Sequence, residues 1–124
     1  MTRLQRSLAA TFTVAGRLHF IRPREYEATV PPYIPISPRD AVRLSGVAEI
    51  VGGLAVIPTP TRRFARCWLT AVLIAVFPAN LHLALPPEDV AGRGVGIARM
   101  PRWLLFARLP VQALFIGWAW RATE

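Results

Sequence analysis

Arg43-Leu-Ser-Gly-Val-Ala-Glu49-Ile-Val-Gly-Gly-Leu-Ala-Val-Ile57 decides how the chain is read. Between Leu44 and Pro60 the only charged residue is Glu49. The run is apolar and long enough to lie in a membrane, yet a carboxylate sits near its middle. At bilayer depth such a group costs ~3 kcal/mol on insertion scales, so it is usually turned toward other helices and paired or protonated. Ser45, Glu49, Gly52 and Gly53 fall at i, i+4, i+7 and i+8, which places them on one helical face. Ser45, Gly46, Gly52 and Gly53 are small enough to let a second helix approach closely. The face that carries Glu49 is therefore expected to be the packed one.

Composition supports the same direction. The 124 residues suffice for one domain, 1–124. They are 53% hydrophobic and carry a formal net charge of +8, a pairing that suits apolar spans separated by basic loops. All fifteen basic residues are arginine. They lie between apolar runs and not along one amphipathic face, so nucleic-acid binding is not expected. The single cysteine, Cys67, excludes an internal disulfide, a CxxC redox pair and a cysteine-based cluster. His19 and His82 are the only histidines and show no metal-ligand spacing, so no metal site is expected. There is no Gly-rich phosphate loop and no nucleophile elbow. Enzymatic activity stays open, since no complete catalytic motif is present.

Four spans are expected, over about 4–21, 41–57, 65–85 and 102–120. The first has a basic start at Arg3 and Arg6, but Arg17 and His19 stand where a signal peptide would be cleaved, so it reads as a retained helix. The loop from Arg22 to Asp40 holds five prolines, which forbid a long helix. Its Tyr26, Val30, Tyr33, Ile34 and Ile36 suit either a lid over the helix ends, with a short helix near Arg24 to Thr29, or a stiff connector. Asp40 suits the start of the second helix, and Pro58-Thr-Pro60 ends it. Pro78 and Pro110 should kink the third and fourth spans. The glycine-bearing loop from Pro86 to Arg102 lacks periodicity and reads as mobile. Arginine counts on the two sides tie. The clustering of Arg62, Arg63 and Arg66 beside a span favours cytoplasmic termini in a bacterial plasma membrane.

Placed by depth at ~1.5 Å per residue, His19 lies ~6 Å from one boundary, Asn80 ~9 Å, Arg108 ~10 Å and Glu49 ~13 Å. Gln112 lies one turn beyond Arg108. The simplest account is one buried network of His19, Glu49, Asn80, Arg108 and Gln112, with Glu49 and Arg108 as an ion pair. That network could hold a ligand or relay protons, or it could only bolt helices together. His19 is either a proton carrier or a packing residue, and Arg17 suits snorkelling toward the headgroups. Haem ligation by His19 and His82 is conceivable from their matching depth, but nothing else forms a haem pocket.

Several motifs carry a resemblance. Gly16-x-x-His19-Phe20, Pro23, Tyr26, Val30-Pro-Pro32, Ser45-Gly-x-x-Glu49-x-x-Gly-Gly53, Phe77-Pro-Ala-Asn80 and Arg108-Leu-Pro-x-Gln112 together resemble the DoxX-like small membrane proteins. The resemblance implies an all-α, four-helix transmembrane bundle of bacterial type with ties to redox or thiol homeostasis. Two function classes follow. One is a membrane partner or anchor of a redox complex, with the lipid bilayer and a redox protein as partners. The other is a quinone-binding redox subunit that uses the buried polar network. A small-molecule transporter, working as a homo-oligomer, is a third.

Overall fold

The structure, a computed structural model, describes residues 1–27, 30, 34–84 and 102–124. Among them are four long helices and one short one. These are α1 (Arg3–Ile21), the short α2 (Pro23–Glu27), α3 (Pro38–Ala55), α4 (Arg62–Ala84) and α5 (Arg102–Ala122).

Each start and stop has a local cause. Thr2 caps α1 through a capping box: its hydroxyl accepts from the Gln5 amide, and the Gln5 side chain accepts from the Thr2 amide. Ser37 caps α3 by accepting from the Asp40 amide, with Pro38 at the first helical position, where its missing N–H costs nothing. The C-terminal carbonyls of α3 are taken by the next segment. The Thr61 hydroxyl donates to Ala55 at 2.6 Å, and the Arg62 guanidinium donates to Val56 at 2.9 Å and Ile57 at 3.1 Å. A cation there also favours the negative end of the helix dipole. Arg62, counted in the sequence as a charge that orients spans, serves here as a cap.

The four long helices pack in a closed cycle, α1 on α3, α3 on α4, α4 on α5 and α5 on α1. The α1–α3 crossing is the tightest. A Cβ added at Gly16 would lie 2.6 Å from the Gly46 carbonyl oxygen, and one at Gly53 would lie 2.9 Å from the Thr13 amide nitrogen. Only the missing side chains allow that approach. Gly117 is the contrast, because a Cβ there would meet nothing within 4 Å. Gly117→Ala is therefore expected to raise stability by ~1 kcal/mol through helix propensity alone, which a denaturant titration checks.

The core fills one half of the cycle. Leu8, Phe12, Val56, Leu69, Leu73 and Ala119 pack there, with Leu8, Leu69 and Val56 fully buried. The far ends are tied by side chains. Gln5 donates to the Ala122 carbonyl at 3.0 Å, and Arg66 bonds Thr123 while lying 4.7 Å over the Trp120 ring. In the other half the core gives way to a cavity that begins at Phe12 and Leu73.

The expected transmembrane bundle does not survive. Among the described residues no helix is long and apolar enough to cross a membrane. The physical reason is the spacing of polar groups. Arg3, Arg6, Arg17 and His19 punctuate α1, and Arg39, Asp40, Arg43 and Glu49 punctuate α3. In α4, Arg62, Arg63 and Arg66 occupy the first turns, and Thr70 interrupts the described side chains past them. In α5 those past Arg108 run from Leu109, are broken by Gln112, and end at Trp120. The placement in a bacterial plasma membrane and the cytoplasmic termini that went with it fall with the spans. The loop expected from Pro86 to Arg102 lies outside the described residues apart from its last position, as do residues 28, 29 and 31–33 of the proline-rich loop. Of that loop the described part includes α2, near the short helix expected at Arg24 to Thr29.

Candidate functional site

The glycine crossing creates the site. Because α1 and α3 cross closely and antiparallel at Gly16 and Gly46, the side chains of His19 and Glu49 beside the contact come within reach of each other. A Cβ at Gly46 would lie 2.9 Å from the His19 Cβ. The Nδ1 of His19 consequently stands 3.4 Å from the Oε2 of Glu49, both side chains being nearly buried.

That approach is not a hydrogen bond. His19 Nδ1 lies 2.7 Å from the Ala15 carbonyl oxygen. A carbonyl can only accept, so Nδ1 carries the proton and directs it at Ala15. In the neutral ring Nε2 is then left as an acceptor. Glu49 Oε2 receives nothing: it is buried with no hydrogen-bond partner among the described residues. The ring of His19 stacks on Tyr26 at 4.0 Å between centroids and 19° between planes, so α2 covers the pair from above.

Burial sets the protonation states. It pushes the Glu49 carboxyl up from 4.5 to about 7, because the anion has lost water and gained no donor. For His19, burial lowers the pKa, and the bond to Ala15 opposes this to a lesser degree. Both shifts favour a neutral pair, a carboxylic acid beside a neutral imidazole. A neutral carboxylic acid is a hydrogen-bond donor, and the buried Oε2 of this one meets no partner among the described residues.

The cavity beside the pair measures ≈ 570 Å³. Phe12 and Ala15 from α1, Val42 and Ala48 from α3, Val72 and Val76 from α4 and Phe115 from α5 give it apolar walls. His19, Tyr26, Ser45, Glu49, Thr11 and Gln112 supply its polar groups. Gln112 crosses from α5 to α4 and donates to the Leu73 carbonyl. Trp68 pins the opposite wall by donating to the Ala48 carbonyl at 2.7 Å.

Of the residues singled out in the sequence, His19, Glu49, Gln112 and Ser45 line this one cavity. Gly46, Gly52 and Gly53 are buried along α3, Gly46 and Gly53 against α1 and Gly52 against α4. Asn80 and Arg108 fall within α4 and α5, but their side chains lie outside the described residues, and so does the expected Glu49–Arg108 pair. The same holds for His82 and thus for paired haem ligation. Among the described residues no three of His, Cys, Asp and Glu lie close enough to hold a metal ion. Sequence reasoning missed the stacking of Tyr26 on His19 and the part of Thr11 and Phe115 in the walls. A tyrosine that follows a proline soon after a helix end is a weak signal, and the other two residues gave none.

Fold and site together define a helical protein whose cycle of four long helices encloses a ligand-sized, mostly apolar cavity with a buried acid. The chain belongs to the family described as a domain of unknown function (DUF8561), which its residues 8–123 match. Neither a curated protein nor a solved structure matches it. Nothing in these comparisons supports the resemblance to the DoxX-like proteins, and no reading below rests on it.

Proposed function

We propose that this chain binds a small, flat, largely apolar molecule through a carbonyl oxygen, and that a quinone is the chemistry that fits. The observation that carries this reading is the buried, unpartnered Glu49 Oε2 on the wall of the cavity. With its pKa at about 7, Glu49 holds its proton below neutrality and can donate it in a hydrogen bond to a carbonyl. A buried donor left without an acceptor costs roughly 1–3 kcal/mol, which a carbonyl ligand would offset. The cavity volume of ≈ 570 Å³ lies in the range that holds small cofactors. An anchoring role, by contrast, would depend on membrane-crossing helices.

Titration with 1,4-naphthoquinone tests the reading. Trp118 stacks on Phe115, a cavity wall, so tryptophan emission reports occupancy. Saturable quenching is expected, with affinity constant below pH ~7 and falling about tenfold per pH unit above it as Glu49 ionises. Glu49→Gln keeps an N–H donor and should bind without that pH dependence. Glu49→Leu should weaken binding by roughly tenfold, the value of one net hydrogen bond. Equal affinity for the Glu49→Leu protein would end the proposal.

A further inference from the structure

Glu49 does not stand alone on the cavity wall. His19 lines the same space, and its Nδ1 lies 3.4 Å from Glu49 Oε2. Two sides of the imidazole are already occupied. The Ala15 carbonyl holds the Nδ1 proton at 2.7 Å, and one face of the ring lies against Tyr26 at 4.0 Å. The Nε2 edge remains, and no hydrogen bond reaches it among the described residues. With the proton fixed on Nδ1, Nε2 carries a lone pair and can only accept.

Glu49 is the reverse. As a neutral acid it offers an O–H, and its buried Oε2 meets no partner among the described residues. Neighbouring side chains thus bring one donor and one acceptor to the cavity, each lacking a counterpart. A ligand that met only Glu49 would cover the Nε2 lone pair with apolar surface, and a buried acceptor left unpaired costs free energy. A second carbonyl would do no better, since one acceptor cannot answer another. We infer that the ligand carries a hydrogen-bond donor, an N–H or an O–H, close beside its carbonyl, and that His19 Nε2 is the specificity-determining acceptor that selects it. This rests on the reading that Glu49 binds the carbonyl. Selection of this kind is sharp, because the wrong ligand leaves a polar group of the site unpaired. Ala15 and Tyr26 are positioning groups, which hold the ring in one orientation.

Calorimetric titration at about pH 6.5 tests it. There Glu49, with its pKa at about 7, keeps most of its proton, and His19, lowered from 6.5, is mostly neutral. 2-Quinolone and coumarin share one bicyclic outline and one carbonyl. Beside that carbonyl the first has an N–H and the second a ring oxygen. The wild-type chain should bind 2-quinolone about tenfold more tightly, the value of one net hydrogen bond. 5-Hydroxy-1,4-naphthoquinone against 1,4-naphthoquinone repeats the comparison for an O–H, and a gain in one pair alone identifies the donor. His19→Phe keeps a ring for Tyr26 to stack on but has no acceptor. It should abolish the preference by weakening the donor-bearing member and leaving the other unchanged. The wild-type comparison stands whether or not that variant folds. Equal affinities within both pairs would overturn the inference, as would a preference that survives His19→Phe. Neither result touches the carbonyl reading, which fails separately if coumarin binds the Glu49→Leu protein as tightly as the wild type.

Discussion

At pH 8 the Glu49→Gln protein is expected to be more stable than the wild type by about 3 kcal/mol, and at pH 4 the difference should vanish. The sign follows from where the proton resides. In the folded chain the Glu49 carboxyl titrates at about 7, against 4.5 for the ordinary group. Between those values the folded state holds a proton that the unfolded state has released. Stability from this group is therefore complete below pH 4.5, falls as pH rises toward 7, and then levels off. Glutamine cannot ionise, so the variant escapes the loss. His19 has the opposite sign: its lowered pKa removes stability as pH falls below 6.5, and it does so in both proteins. Urea unfolding at a series of pH values measures the difference directly. A constant gap from pH 4 to pH 8 would mean that Glu49 is ionised and paired in the folded chain.

Gly16→Val should cost about 3 kcal/mol or more and abolish ligand binding. A Cβ at that position lies 2.6 Å from both the Gly46 carbonyl oxygen and the Ile50 Cγ1, and 3.0 Å from the Ile50 amide nitrogen. Two of these neighbours are backbone and cannot rotate aside. The helices must part, which separates His19 from Glu49 and admits water to the acid. The Glu49 pKa should then fall back toward its ordinary value. A loss under ~1 kcal/mol, comparable to a propensity effect, would show that α1 and α3 do not cross at Gly16.

How much of this could be read from the residues varies by element. The prolines at 38, 58 and 60 mark the ends of α3 because ring and missing N–H act locally. Small residues on the Glu49 face pointed to a close neighbour by the same kind of short-range argument. The relative stagger of two helices is not local. Depth counted from loop boundaries set His19 and Glu49 about 7 Å apart along the helix axes. The crossing at Gly16 and Gly46 brings them to 3.4 Å. Tyr26 over His19 was hidden for the same reason, since stacking across a turn leaves no periodicity. The membrane reading erred by weighing the number of apolar residues above the rhythm of polar ones. Among the described residues, mostly apolar helices still include none long and apolar enough to cross a membrane.

The bond from Gln5 to the Ala122 carbonyl spans 117 positions of sequence, and it bears on how the chain is made. Synthesis proceeds from the first helix to the last, so the Gln5 amide emerges from the ribosome long before its acceptor exists. Until residue 122 follows, α1 lacks its contacts with α5, and the core around Leu8 is missing Ala119 and Ala122. Nascent chains arrested before that point should be open to proteases along α1, and protection should arrive late and in a single step.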